Sequence, residues 1–248
     1  MPESELAIPR GKRIVVEGND GTGKSTVADM FGWQVRKNGF HTIRIDEPNS
    51  PIDEDGTVML PHIAELRREI KDGSYPHNPH ADLAMFNVAR YLSLMRVEKP
   101  YLELGYWMIK SRDKTSSEAY QGNGDGLGID TVTGIIDNVM QDDDYLHPDF
   151  KTILVFKDEM ERLKRIESRG PLDLPDTFES RDGNFQQRVN DAYPVIAARD
   201  GFDITEIETG QSREEIADIV LVKAIGAIGV NLSHFSWDEY WEEQRSAV

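Results

Sequence analysis

Apolar and polar residues alternate along this chain in short blocks whose period switches between that of a strand and that of a helix. RIVVEG (13–18) is a β-branched, apolar run closed by Gly18 and reads as a buried strand. HTIRID (41–46), YWMIK (106–110), KTILVF (151–156) and DITEIE (203–208) read as four more. Helical spacing returns between them. One helix runs from near Lys24 to a stop at Asn38-Gly39, and IAELRREIKDG (63–73) sets Ile63, Leu66 and Ile70 on one face. Residues 81–105 form a long helical stretch with a kink or break near Pro100. Further helical segments cover 116–121, 129–141, 158–168, 184–199 and 212–226. Strands alternating with helices predict an α/β fold: a five-stranded parallel sheet with right-handed crossovers and helices on both faces. The tail NLSHFSWDEYWEEQRSAV (231–248) carries Phe235, Trp237, Tyr240 and Trp241, and predicts a helix packed on the domain or on a second subunit.

Composition narrows the functional classes. The length of 248 residues suits one domain over 1–248, with the tail as a helical extension. A net charge of −17 opposes binding along a nucleic-acid backbone, which needs clustered Lys and Arg, so no nucleic-acid partner is expected. No apolar run approaches the ~20 residues of a membrane span. The opening MPESELAIPRGKR has no long apolar segment of the kind a secretory leader carries. The absence of cysteine excludes a disulfide framework and a thiolate metal site, and together these features predict a cytoplasmic protein. His77 and His80 (HNPH) have no further His or Cys to complete a metal site. QDDDY (141–145) lacks the spacing of a calcium loop and reads as a solvated helix end.

The chemistry enters with Gly18-Asn19-Asp20-Gly21-Thr22-Gly23-Lys24-Ser25, which fits the pattern G-x-x-x-x-G-K-[ST] between a strand and a helix. The glycines let backbone N–H groups curl round phosphate oxygens, Lys24 neutralises β/γ charge, and the Ser25 hydroxyl can ligate Mg²⁺. Asn19, Asp20, Gly21, Thr22, Gly23, Lys24, Ser25 and Thr26 are therefore the expected phosphate-binding residues, in a P-loop three-layer sandwich. The chain lacks an N-K-x-D guanine signature and is short for a motor protein.

Two later stretches, MFNVAR (85–90) and SRDKTSSEAYQG (111–122), together with the loop resemble the thymidylate (dTMP) kinase family. That family reads G-x-[DE]-x-x-G-K-[ST]-T in the loop, L-x-F-x-A-x-R on a helix, and D-R-[YH]-x-x-S-x-x-A-Y-Q-G after the third strand. The similarity extends through TILVFKDEMERLKRIESRG (152–170) and DTFES…FQQRVNDAYP (176–194), covering about residues 12–222. The resemblance implies ATP- and Mg²⁺-dependent transfer to dTMP, and a homodimer with helices such as 81–99 at its interface. It implies Phe86 as the face on which thymine stacks, Arg90 as donor to a base carbonyl, and Arg112 as the clamp on the acceptor's 5′-phosphate. Ser116 and Gln121 take the place of base contacts, Tyr120 packs on the sugar's 2′ face, and Asp20 accepts from the 3′-hydroxyl. A further cation is expected from a Gly- and Pro-rich lid, about 169–183, with Arg165, Arg169 and Arg181 as candidates. Some family members carry an Arg in the loop, where this chain has Gly21.

The chain departs from the family at three points. The Asp before Arg is Ser111, the Arg before Glu-Pro is Asp46, and the aspartate often ending the fourth strand is Phe156. Asp113, Asp46 and Glu47 are the candidates to supply the missing carboxylate near the metal. These departures leave open a kinase for another or modified pyrimidine deoxynucleotide, and a non-catalytic nucleotide-binding homologue.

Overall fold

β1 (Arg13–Gly18) is buried along its whole length, as a strand with neighbours on both edges and layers on both faces must be. In the computed structural model, which describes residues 9–71, 76–170, 178 and 181–246 (without the side chains of Lys71 and Arg169), β1 is the centre of a five-stranded parallel sheet. With β2 (Thr42–Asp46), β3 (Trp107–Ser111), β4 (Phe150–Phe156) and β5 (Asp203–Ile207), the order is β2-β3-β1-β4-β5. The connections reverse direction at β1, and in such sheets ligands bind beyond the carboxyl ends of the strands.

Alternation along the strands sorts the core. Ile14, Val16, Ile109 and Leu154 face α1 (Lys24–Lys37) and α10 (Arg213–Ile228). Ile43, Ile45 and Met108 face the other way, with residues of α2 (Pro61–Lys71) and α3 (Pro79–Ser93). Ile153 meets α9 (Gly183–Asp200) on that same side. α8 (Glu159–Arg169) follows β4 and leads towards the expected lid, of which 171–177 and 179–180 lie outside the described residues.

The long helical stretch is broken earlier than Pro100. α3 widens into a π-helical turn, Leu94–Glu98, before α4 (Lys99–Glu103), and the Lys99 N–H bonds back to Leu94 O. Proline lacks an N–H and crowds the preceding turn, so a wider turn just ahead of Pro100 accommodates it. The turn also buries Glu98. After β3, α5 (Lys114–Ser117) is a single turn that passes into a second π-helical turn, Glu118–Gly124, where one helix was expected.

α6 (Ile129–Met140) precedes a short helix, α7 (Asp143–Leu146), in the acidic stretch expected to be a helix end; Asp142 caps it by accepting from Tyr145 N at 2.9 Å. The tail forms α11 (Trp237–Ser246), packed on α1 and α10 of its own chain. No described helix is long and apolar enough to cross a membrane.

Candidate functional site: two cavities that meet at Arg112

The loop between β1 and α1 is shaped by glycines in the left-handed region, of which Gly21 is also tightly enclosed. Gly21 has φ +85°, and a Cβ there would lie 2.7 Å from Ile166 and 3.1 Å from the Arg162 carbonyl. That explains why the loop arginine of some relatives has no counterpart here. Within the loop, Asp20 N donates to Asn19 Oδ1 (2.7 Å) and Thr22 Oγ1 to Asn19 O (2.8 Å). Lys24 Nζ is buried over the loop, donating to Asp20 Oδ1 (3.0 Å) and Asn19 O (3.3 Å). Burial holds Lys24 below its ordinary pKa and the charge of Arg112 adds to that, while Asp20 opposes. A multiply charged anion on the loop would reverse that penalty.

A cavity of about 890 Å³ opens over this loop, lined by Asp20–Val27, Asp46, Glu47, Arg67 and Arg112 on one side. Arg165, Ile166, Ser168 and the segment Gln211–Glu214 line its far end. Beside it lies a narrower cavity lined by Asp20, Glu47, Pro48, Phe86, Arg90, Arg112, Asp113, Ser116, Ser117, Tyr120, Gln121 and Phe178. All seven residues expected to bind the acceptor line this one cavity. Asp20, Glu47 and Arg112 line both, so the two cavities meet at a carboxylate pair and a guanidinium.

Arg112 sits just past the end of β3 with φ +79°, a left-handed conformation that non-glycine residues rarely take. Its guanidinium pairs with Asp20, donates to Ser116 Oγ (3.2 Å) and lies 5.4 Å from the centre of the Tyr120 ring. Burial acts most strongly against its charge, but Asp20, Tyr120, Tyr193 and Glu17 together outweigh burial and hold the group well above its ordinary range. Tyr120 Oη is within 2.8 Å of Asn19 Oδ1 and 2.7 Å of Asp20 Oδ2. Phe86 lies on α3, 5.9 Å centre to centre from Phe178. Arg90, one turn on, is held on three sides: Nε donates to Glu47 (3.0 Å), Nη1 to Asn87 (2.7 Å) and Nη2 to Ser117 Oγ (3.1 Å). The π-helical turn buries Gln121, and neither of its amide atoms has a hydrogen-bond partner among the described residues. A buried amide left unpaired costs about 1–3 kcal/mol, and a ligand edge can relieve that cost.

The three candidate carboxylates separate. Asp46 and Ser111 are register partners at the ends of β2 and β3, and their side chains are hydrogen-bonded. Ser25 Oγ lies 3.4 Å from Asp46 and 3.3 Å from Ser111 Oγ. Asp46 therefore puts a carboxylate beside Ser25 from the strand next to the one where the family carries it. Glu47 is held by Arg90 and by Lys110 Nζ (2.6 Å). Asp113 is turned away from Ser25: Lys151 Nζ lies within 3.0 Å of both its oxygens, and Thr115 N donates to it (2.9 Å). The same separation applies to the cations. Arg165 lines the far end of the large cavity, donating to Gln211 O (2.8 Å) and lying over Phe156 (4.7 Å). Arg181 lies instead in a smaller cavity on another side of Asp20, paired with Asp125 and over the Phe185 ring (3.8 Å). The Arg169 side chain is outside the described residues.

Several contributors escape the sequence reading. Arg67 of α2 lines the large cavity with a buried Nε that has no partner among the described residues. Arg162 of α8 is buried and donates to the Asp20 carbonyl (2.6 Å). Glu17 accepts from Asp113 N (2.7 Å), Ser116 N (3.0 Å) and Ser116 Oγ, which holds the Arg112 segment against β1. Burial and the nearby Asp113 charge push the Glu17 carboxyl up to about 7. Beneath the narrow cavity runs a buried chain of charges, Arg13–Glu98–Lys110–Glu47–Arg90. A lysine at the end of YWMIK, an otherwise apolar run, was the available signal for it.

A phosphate loop at the carboxyl edge of a parallel sheet, adjoining a second cavity with a guanidinium between them, defines a P-loop nucleotide-binding protein with room for two ligands. The sequence model of the family described as "Thymidylate kinase" matches residues 16–220. The chain is 31% identical over 207 residues to a thymidylate kinase of Rhizorhabdus wittichii, covering 83% of this chain and 93% of the relative. It is 30% identical over 220 residues to the thymidylate kinase of Halothermothrix orenii (88% and 99%) and 33% identical over 207 residues to that of Dehalococcoides mccartyi (84% and 92%). The chain belongs to the thymidylate kinase family.

Proposed function

We propose that the protein is a thymidylate kinase that transfers the γ-phosphoryl group of ATP to the 5′-phosphate of dTMP. The observation that carries this reading is the junction: Arg112, Asp20 and Glu47 line both the loop cavity and the narrow cavity. A phosphate oxygen of dTMP attacks the γ-phosphorus, the bond to the β,γ-bridging oxygen breaks, and ADP leaves. A phosphate monoester with a second pKa of about 6 already carries the attacking lone pair at neutral pH, so no general base is needed. What the protein supplies is position and opposing charge.

In this reading the loop amides and Lys24 hold the donor phosphates, and Arg112 clamps the acceptor phosphate in line. Thymine stacks on Phe86, with Arg90, Ser116 and Gln121 at its edges. Tyr120 closes the sugar's 2′ side and Asp20 takes the 3′-hydroxyl. Gln121, buried with two unanswered hydrogen-bonding atoms, supports a base edge at that position. Mg²⁺ takes few protein ligands besides nucleotide phosphates, and a hydroxyl with a carboxylate suits it; Ser25 and Asp46 are such a pair. Bound there, the ion would neutralise charge on the β- and γ-phosphate oxygens. Arg67 is the cation we assign to the transferring group, with Arg165 at the donor's outer end and Arg169 and Arg181 held for lid closure. Exposed Val88 and Tyr91 on α3, Met95 in the π-helical turn that follows it, and Ile135 and Val139 on the adjacent α6 support a homodimer through this face.

The test is ADP release with ATP and Mg²⁺ against dTMP, dUMP, 5-hydroxymethyl-dUMP, dCMP, UMP and dGMP. Fast turnover with dTMP alone is expected. Preference for another nucleotide would move the acceptor claim, and ATP binding without turnover on any acceptor would mark a non-catalytic homologue.

A further inference from the structure

Residues 221–248 lie beyond the span matched by the family's sequence model, yet α11 and the segment leading to it are built into the loop's supporting helix. Two amides of α1 bracket the backbone of that segment. Asn38 donates to Ser233 O (2.9 Å) and accepts from Ser233 N (2.7 Å), while Gln34 donates to Phe235 O (2.7 Å) and accepts from Phe235 N (2.9 Å). Trp33 of the same helix packs against Phe235, Trp237 and Tyr240, at 6.4, 6.1 and 5.6 Å between ring centres. The register of α11 is thereby set, and it carries Trp241 to the start of α10. There Trp241 Nε1 donates to Glu214 (2.8 Å), and the Arg213 guanidinium lies 5.1 Å from the Trp241 ring centre.

Arg213 and Glu214 also line the far end of the large cavity. Triphosphate on the loop leaves that far end for the donor's base. Two guanidinium groups are found there, each backed by an aromatic ring: Arg165 over Phe156 and Arg213 over Trp241. A guanidinium held flat by a ring keeps its other face for a planar ligand. Among the described residues Arg213 forms no ion pair, so the ring is what orients it.

We propose that Trp241 is a positioning residue for the phosphoryl donor: it holds Arg213 as a platform on which the purine base of a nucleoside triphosphate stacks. The C-terminal segment thus sets affinity for the donor's base and leaves its phosphates to the loop. This rests on the large cavity being the donor site.

Calorimetric titration of the full-length protein with ATP and with inorganic tripolyphosphate separates the possibilities. Trp241→Ala is expected to weaken ATP about three- to tenfold, in line with a cation–π contact of moderate exposure, and to leave tripolyphosphate unchanged. Trp241→Phe should recover most of the loss, because a ring suffices. Arg213→Ala, which leaves the tail intact, should reproduce the selective loss should Trp241→Ala fold poorly. Equal ATP affinity in the variants and the parent overturns the proposal and leaves the donor site standing. A parallel loss of tripolyphosphate also overturns it, since the tail would then act on the loop through α1. No ATP binding by the parent protein would overturn the donor-site reading, and this proposal with it.

Discussion

The loop cavity and the narrow cavity beside it share three residues and almost nothing else in their construction. The loop cavity is wide, about 890 Å³, and presents backbone amides, a buried lysine and several cations. The other cavity, proposed for the acceptor, is narrow and its charged side chains are already paired with one another. Arg90 is bound on three sides, and Glu47 is held between Arg90 and Lys110. A wide cavity of fixed amides recognises charge and tolerates variety in what carries it. A narrow one with paired guanidinium groups and one unanswered amide recognises shape and hydrogen-bonding edge. Discrimination is therefore expected mainly at the acceptor, and donor selectivity should depend on the weaker guanidinium platforms at the rim.

The largest expected break in this contrast is at the junction. Arg112→Ala removes the proposed clamp on the acceptor phosphate, so kcat/KM should fall by about 10³-fold or more. ATP affinity should change little, because Lys24 and the loop amides remain. Steady-state kinetics with each substrate varied in turn would show whether the loss stays on the acceptor side.

The second contrast separates two carboxylates. Asp46→Asn should lower kcat by about 10²-fold at saturating Mg²⁺ with little loss of stability, since Asp46 faces Ser25 and solvent-accessible space. Asp113→Asn should instead lower stability, because breaking a buried pair such as Asp113–Lys151 typically costs about 3–5 kcal/mol. Parallel kcat and thermal-denaturation measurements would reveal a reversal of the two roles.

The smallest effect concerns pH. The Glu17 carboxyl, raised to about 7 in the folded protein, binds its proton more tightly than in the unfolded chain. Its contribution to stability is present below its unfolded pKa, about 4.5, and is lost as pH rises towards 7. Burial pushes the neighbouring Asp113 upward too, but Lys151 and Arg13 outweigh it and hold the carboxyl below its ordinary range. Its contribution has the opposite sign and is lost only at acidic pH. Glu17→Gln should therefore gain on the parent between pH 5 and 7.5 in denaturant midpoint, and parallel pH profiles would contradict this assignment.

Much of the loop cavity's lining was legible in the sequence, because a phosphate loop is contiguous and its chemistry lies in the backbone. The sheet was legible too, through five short apolar runs, although β3 ends one residue later than expected and so brings Ser111 to the edge beside Asp46. The residues that line the narrow cavity were accessible only through resemblance, since Phe86, Arg90 and Tyr120 come from separate stretches of the chain. Choosing among Asp46, Glu47 and Asp113 required the register of β2 on β3 and the approach of Lys151, both long-range facts. The chain of charges from Arg13 to Arg90 was hidden for the same reason, its members lying at positions 13, 98, 110, 47 and 90. The π-helical turns were missed because their residues have ordinary helical character, and only tertiary packing widens them. The tail's aromatic residues announced burial, but that they pack on the chain's own α1 depended on Asn38 and Gln34.

The most direct measurement follows isotope from donor to product. ATP labelled with ¹⁸O in its γ-phosphate is incubated with dTMP and Mg²⁺, and the products are weighed by mass spectrometry. The expected result is label in the β-phosphate of dTDP, with unlabelled ADP formed in equal amount. Label released as inorganic phosphate, or retained in ATP while both nucleotides are bound, would contradict transfer across the Arg112 junction.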